Sequence, residues 1–204
     1  MPFIFTNRLG GVSKAPFDSA NLGDHVGDDP FDVAENRSQL ESQIGMPISF
    51  MNQVHGDTVV LVENNQSIPT CDALISTERK LAVAVMVADC IPLLLKSDVA
   101  VAAVHVGRKG LMNGIARNTI DAMRDLGAEV IHSYIGPNIC GGCYEVSDEI
   151  FHDVAAKYPA ADSSGRIGCY SCGYRHLFRY QFHHPARQYR FGDSRSHRKI
   201  QIEN

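Results

Sequence analysis

A chain of 204 residues is the length of one ordinary domain, with or without a tail. Hydrophobic residues make up 44% and charged residues 21%, a balance that excludes collagen-like, coiled-coil and wholly disordered classes. The net charge of -4 hides an asymmetry: residues 163–204 hold eight Lys and Arg against two acids, Asp193 and Glu203, so that segment carries +6 and residues 1–162 carry -10. No apolar run reaches the ~18–20 residues of a membrane helix. The longest, Leu81 to Leu95, is broken by Asp89, Cys90 and Pro92. The N-terminus has no basic region before its apolar stretch, which argues against a secretory signal. Six cysteines are too few for a disulfide scaffold of this length, so the default is a cytoplasmic protein with reduced thiols.

The first 162 residues read as an alternating α/β chain. Phe3–Thr6 is a short strand candidate closed by Gly10-Gly11. The polar stretch Asn21–Asp29 reads as loop. Asp29-Pro30 then predicts a helix start, with Val33, Leu40 and Ile44 on one stripe and Gly45 as the stop. Ile48–Val54 and Thr58–Val62 are strand-like and separated by His55-Gly56-Asp57. Ala73–Ser76, Leu81–Ala88, Pro92–Leu95 and Val99–Val106 follow as β-rich runs. The last three are almost continuously apolar, as strands covered on both faces are. Asn113 is a candidate cap for a helix running to Leu126 and ended by Gly127. Val130–Ile135 reads as another strand. Ser147 caps a last helix, with Asp148 and Glu149 in its first turn and Pro159 beyond it.

From about Ser163 this periodicity fails, and Arg, His, Ser and Tyr dominate. Three readings fit: a solvated basic tail, a segment translated out of its ancestral frame, or a nucleic-acid-binding arm. Only the interleaved aromatics Tyr170, Tyr174, Phe178, Tyr180 and Phe182 favour the third.

Three side chains stand out chemically. His55 ends the run Phe50–Val54, Cys90 follows the run Leu81–Ala88, and His105 ends Val101–Val104. Each is metal-competent and sits at the carboxyl end of an apolar run, beside a glycine or proline that lets the backbone turn. Two imidazoles and one thiolate suit Zn²⁺ and leave a fourth position open; copper accepts the same donors. The separations of 35 and 15 residues make no local motif, so from pattern alone a small buried hydrophobe at 90 and two strand-end polar histidines are the favoured reading. A rival metal reading is the pair Cys140-x-x-Cys143 and Cys169-x-x-Cys172, which has the form of a four-cysteine zinc site. Asp89 is placed to orient a ligand histidine, or to cap a strand end. Arg8, near Gly10-Gly11, is a candidate for holding an anionic group. Arg108 and Lys109, beside a Gly110 turn, form a basic pair suited to phosphate. Arg8 also reads as a surface charge at a turn, and a solvated pair is the commoner outcome for Arg108 and Lys109.

Several stretches together resemble one family. They are residues 6–37, NQVHGDTV (52–59), CDALIST (71–77), VADCIPLLL (87–95), AAVHVGRKGLMNGI (102–115) and IGPNICGGCYEVSDEI (135–150). This is similar to the YfiH-type, laccase-domain-containing family, also described as polyphenol oxidase or purine nucleoside phosphorylase proteins. The resemblance covers about 1–160 and makes 1–162 the family domain; 163–204 falls outside it. It implies an α/β/α sandwich with a mixed sheet, incomplete at the C-terminus. It implies His55, Cys90 and His105 as metal ligands. It further implies zinc-dependent phosphorolysis of adenosine, inosine, guanosine and methylthioadenosine, with adenosine deamination. The alternatives are a copper-dependent phenol oxidase, peptidoglycan-precursor editing, and a non-catalytic metal-binding protein with a basic interaction tail. The expected partners are purine nucleosides and phosphate, with no membrane and with nucleic acid disfavoured. The resemblance assigns no general acid or base and no oligomeric state. Where the family carries Trp-Arg in its HxGWRG-like motif this chain has Arg108-Lys109, and it contains no Trp at all.

Overall fold

Asp29 and Pro30 start the first helix as their residue types predict. In the computed structural model, which describes residues 3–139, 144 and 146–158, α1 spans Pro30–Ile44. The Asp29 side chain accepts the Phe31 N–H, and Gly45 caps the other end in the left-handed conformation. Seven strands follow the helix or alternate with three more helices. They are β1 (Ile48–Ser49), β2 (Val59–Leu61), β3 (Ala73–Ser76), β4 (Ala82–Val83), β5 (Ile91–Lys96), β6 (Val101–Val106) and β7 (His132–Ile135). Helices α2 (Arg108–Asn113) and α3 (Ile115–Asp125) lie between β6 and β7, and α4 (Asp148–Lys157) comes last, capped by Ser147.

The chain is an α/β fold around a mixed sheet in the order β2-β3-β6-β5-β7. β2 and β3 are parallel; β3–β6, β6–β5 and β5–β7 are antiparallel. A second, two-stranded sheet pairs β1 with β4 in parallel.

The period of two along the strands sorts their side chains into two cores. Ala73, Ile75, Ile91, Leu93, Leu95, Ala102, Val104 and Val106 face one way and pack with Leu111, Ile115, Ile120 and Met123 from α2 and α3. Fully burying a Leu or Ile contributes about 1.5–3 kcal/mol, so this cluster dominates the stability of the domain. Leu74 points to the other face and joins Met51, Val62, Cys71 and Leu81. Val104 and Val106 belong to the helix-side core, so His105 between them must point to the opposite face.

Several sequence expectations change. Phe3–Thr6 is not a strand; Phe3 instead sets its ring 4.1 Å from that of Tyr134. Of Ile48–Val54 only Ile48–Ser49 is strand, and of Leu81–Ala88 only Ala82–Val83. These runs are apolar because they are buried, and burial does not require a hydrogen-bonded ladder. Asn113 is no cap: the helix starts earlier, at Arg108, and Gly114 divides it from α3. Gly110 is therefore inside a helix and not in a turn. The basic segment 163–204, Pro159 and the four cysteines at 140, 143, 169 and 172 lie outside the described residues. Among the described residues, no helix is long and apolar enough to cross a membrane.

Candidate metal centre

Three strand ends and one turn meet on the face of the sheet away from α2 and α3. β6 delivers His105, which is buried. β5 pairs with β6 so that Ile91 opposes Val106, which places Cys90, one residue earlier, against Gly107. His55 arrives on the turn that leads into β2. Its φ of 59° puts it in the left-handed region, unusual for a residue with a Cβ.

The structure brings these three side chains together. One ligand-type atom from each lies within 4.8 Å of the other two. Cys90 Sγ stands 3.9 Å from His55 Nε2, and the two imidazole rings meet edge to face with centroids 4.6 Å apart. Two imidazoles and a thiol gathered on this scale fit one ion bound at ~2.0–2.3 Å.

The backbone around the cluster is shaped for close approach. A Cβ built on Gly107 would lie 2.8 Å from His55 Cδ2 and 3.3 Å from Cys90 Sγ. A Cβ on Gly110 would meet the carbonyl oxygen of Gly56 at 3.1 Å. The spacing His105-x-Gly107-x-x-Gly110 thus lets the start of α2 lie directly against the His55-Gly56 turn.

A buried carboxylate supports the cluster. Asp72, immediately before β3, has no exposed surface. Its Oδ1 lies 2.7 Å from His105 Nδ1 and accepts the backbone N–H of His55 at 2.9 Å. Its Oδ2 accepts the backbone N–H of Gly56 at 2.7 Å and that of Val54 at 3.3 Å. Asp89, the sequence candidate for either this orienting role or a strand-end cap, is exposed, and Asp72 makes the contact to His105. The available signal was an acidic residue opening a short, fully buried strand whose first three residues are apolar, because an aspartate there is buried and must find donors.

Burial lowers the pKa of His105 below the ordinary histidine value; the hydrogen bond to Asp72 opposes that shift and the nearby His55 adds to it. Burial also pushes the Cys90 thiol up, with Asp89 and Asp72 adding to the effect through their negative charge. Without a cation, the site therefore holds a neutral imidazole at 105 and favours a thiol at 90. Binding a metal requires loss of the thiol proton, so uptake is coupled to proton release.

The candidate anion-binding residues are differently placed. Arg108 and Lys109 are the first two residues of α2, three and four positions after His105; Arg108 is half-buried and Lys109 exposed. Arg8 is exposed, and its Nε donates to the Asp18 carbonyl at 2.6 Å within the N-terminal loop. That loop is fastened to α1. Buried Asn36 accepts the Val12 N–H and donates to Ser13 Oγ and to the carbonyls of Ser19 and Asn21.

A sequence profile for the family described as multi-copper polyphenol oxidoreductase laccase matches residues 2–184, and so continues past residue 162. A purine nucleoside phosphorylase of Corynebacterium glutamicum is 46% identical over 169 residues, covering 78% of this chain and 69% of that protein. A purine nucleoside phosphorylase of Mycobacterium tuberculosis is 42% identical over 174 residues, covering 81% of this chain and 70% of that protein. Among solved structures, Neisseria meningitidis protein NMB0706 superposes with a TM-score of 0.72 at 35% identity, over 85% of this chain and 74% of that one. YlmD from Geobacillus stearothermophilus gives a TM-score of 0.69 at 31% identity, over 76% and 64%. By its profile match, its relatives and its fold, the chain belongs to the multi-copper polyphenol oxidoreductase laccase family, with structural neighbours of the YfiH type.

Proposed function

We propose that this protein is a zinc-dependent purine nucleoside phosphorylase, with His55, Cys90 and His105 as its metal ligands. What carries the reading is the convergence of two imidazoles and a thiol in a chain 46% identical to a protein named purine nucleoside phosphorylase. The donor set fits Zn²⁺, and the glycine at 107 keeps the space beside it free of a side chain. When bound, the ion supplies Lewis acidity and positive charge at the strand ends.

The chain's own residues would bind and orient. In phosphorolysis a phosphate oxygen bonds to the anomeric carbon of the ribose, the C–N bond to the purine breaks, and the base leaves with a proton. The phosphate dianion needs cationic partners, and Arg108 and Lys109 follow His105 closely enough in sequence to provide them. Arg8 is the third candidate. Lys109 offers a point charge, whereas a bidentate guanidinium contact falls to Arg108 or Arg8. Adenosine, inosine, guanosine and methylthioadenosine are the substrates, and adenosine deamination is a second reaction on the same ligands. The same reading places the enzyme in the cytoplasm, where Cys71 and Cys90, free in this structure, stay reduced.

A copper polyphenol oxidoreductase on the same three ligands is the second reading, favoured by the family's description. The test is incubation of the zinc-loaded and copper-loaded protein with inosine or adenosine, with and without phosphate, and with a phenol. Phosphate-dependent release of the purine base by the zinc form supports the first reading. Phenol oxidation by the copper form without any nucleoside cleavage overturns it.

A further inference from the structure

We infer that Asp72 is the positioning residue of the centre: one carboxylate selects which nitrogen of His105 is free and holds His55 beside it. The inference rests on the metal reading above for the role of the two imidazoles.

An ionised carboxylate only accepts hydrogen bonds and has about four lone-pair positions. Asp72 meets four donors with them. Oδ1 takes His105 Nδ1 and the His55 N–H; Oδ2 takes the Gly56 and Val54 N–H groups. Since the carboxylate cannot donate, the proton between it and the imidazole belongs to Nδ1. The lone pair is then left on Nε2 of His105, the only other ring nitrogen available for a metal.

The same group controls the second histidine through the backbone. Three successive N–H groups, from Val54 to Gly56, converge on it, and His55 sits among them with its φ of 59°. Backbone pairing fixes the carboxylate itself: the His105 N–H donates to the Asp72 carbonyl at 2.8 Å, and the Asp72 N–H donates to that of Thr58 at 3.0 Å. Two ligands that are 50 residues apart in the sequence therefore share one anchor.

An amide cannot replace it in either orientation. If Asp72→Asn turns its NH2 toward His105, that group donates to Nδ1, moves the ring proton to Nε2 and removes the metal-binding lone pair. If the NH2 turns the other way, it opposes the N–H groups of Val54 and Gly56 and displaces the turn carrying His55.

The experiment uses the full chain labelled with ¹⁵N-histidine and stripped of metal by chelation. Two-bond ¹H–¹⁵N correlation reads the tautomer of His105, assigned by its loss in His105→Gln. Zinc affinity of wild type and Asp72→Asn is read by competition with a chromophoric chelator, and folding by circular dichroism. The expected results are an Nδ1–H tautomer in the wild type and zinc binding ~10–100-fold weaker in a folded Asp72→Asn. An Nε2–H tautomer in the wild type overturns the inference even where the variant fails to fold. So does a folded variant whose zinc affinity stays within ~3-fold of wild type. Nucleoside turnover plays no part in these readouts, so a failure of the phosphorylase reading leaves them intact. A wild type that takes up no zinc removes the metal reading, and the tautomer alone then decides what Asp72 does to His105.

Discussion

Gly107 and His55 approach so closely that no side chain fits between them: a Cβ at 107 would stand 2.8 Å from His55 Cδ2. The atoms it meets belong to the side chains of His55 and Cys90, not to the sheet backbone. Gly107→Ala should therefore fold but displace two of the three candidate ligands. Zinc binding is expected to fall at least ~10-fold, while unfolding free energy changes by about 1 kcal/mol or less. Chelator competition and urea titration check the two halves. Unchanged zinc affinity would show that the ligand cluster tolerates a side chain at this point.

Asn36 ties the N-terminal loop to α1. It is 3% exposed and makes four hydrogen bonds, with Val12 N–H, Ser13 Oγ and the carbonyls of Ser19 and Asn21. Asn36→Ala removes all of them and strands buried partners, which should cost about 2–4 kcal/mol. The loss is local to the loop, so the amide of Val12 should exchange with solvent much faster while the amides of β5 and β6 stay protected. Exchange measured by mass spectrometry checks this; equal protection of the loop in both proteins would contradict it.

The pH dependence of the metal-free protein follows from His105. Burial holds its folded pKa below the ordinary value of 6.5. Above that value the ring is neutral in both folded and unfolded chains and contributes no slope. Below it the unfolded chain takes up a proton that the folded chain refuses, so stability falls with pH until the lower folded pKa is reached. Urea unfolding of chelator-treated protein from about pH 7.5 to about pH 5.5 should show this loss, and a smaller one in His105→Gln. Identical slopes in the two proteins would contradict the burial argument.

The three candidate ligands could be singled out in the sequence because they stand at the ends of strongly apolar runs, and the structure brings them together. Ile91–Lys96 and Val101–Val106 are strands, and their antiparallel pairing brings Cys90 and His105 to neighbouring positions. The pattern marked the ends of these runs without revealing the register that joins them. The start of α2 was missed because Gly110 reads as a turn residue, whereas its missing side chain makes room for the Gly56 carbonyl. Asp72 was missed for a related reason. Its role depends on four donors from residues 54–56 and 105, and no local period announces such a convergence. Phe3–Thr6 failed as a strand because its apolar residues are used in ring contacts such as Phe3 on Tyr134.

The most direct test of the claim that His55, Cys90 and His105 hold a metal is zinc analysis of the purified full chain and its Cys90→Ser variant. Wild type should carry about one Zn²⁺ per chain, and the variant should lose it on dialysis against a mild chelator, because the thiolate is the strongest donor of the set. Equal zinc in both proteins, or zinc that disappears in Cys143→Ser instead, would contradict the assignment; the second result would move the metal to the four cysteines at 140, 143, 169 and 172.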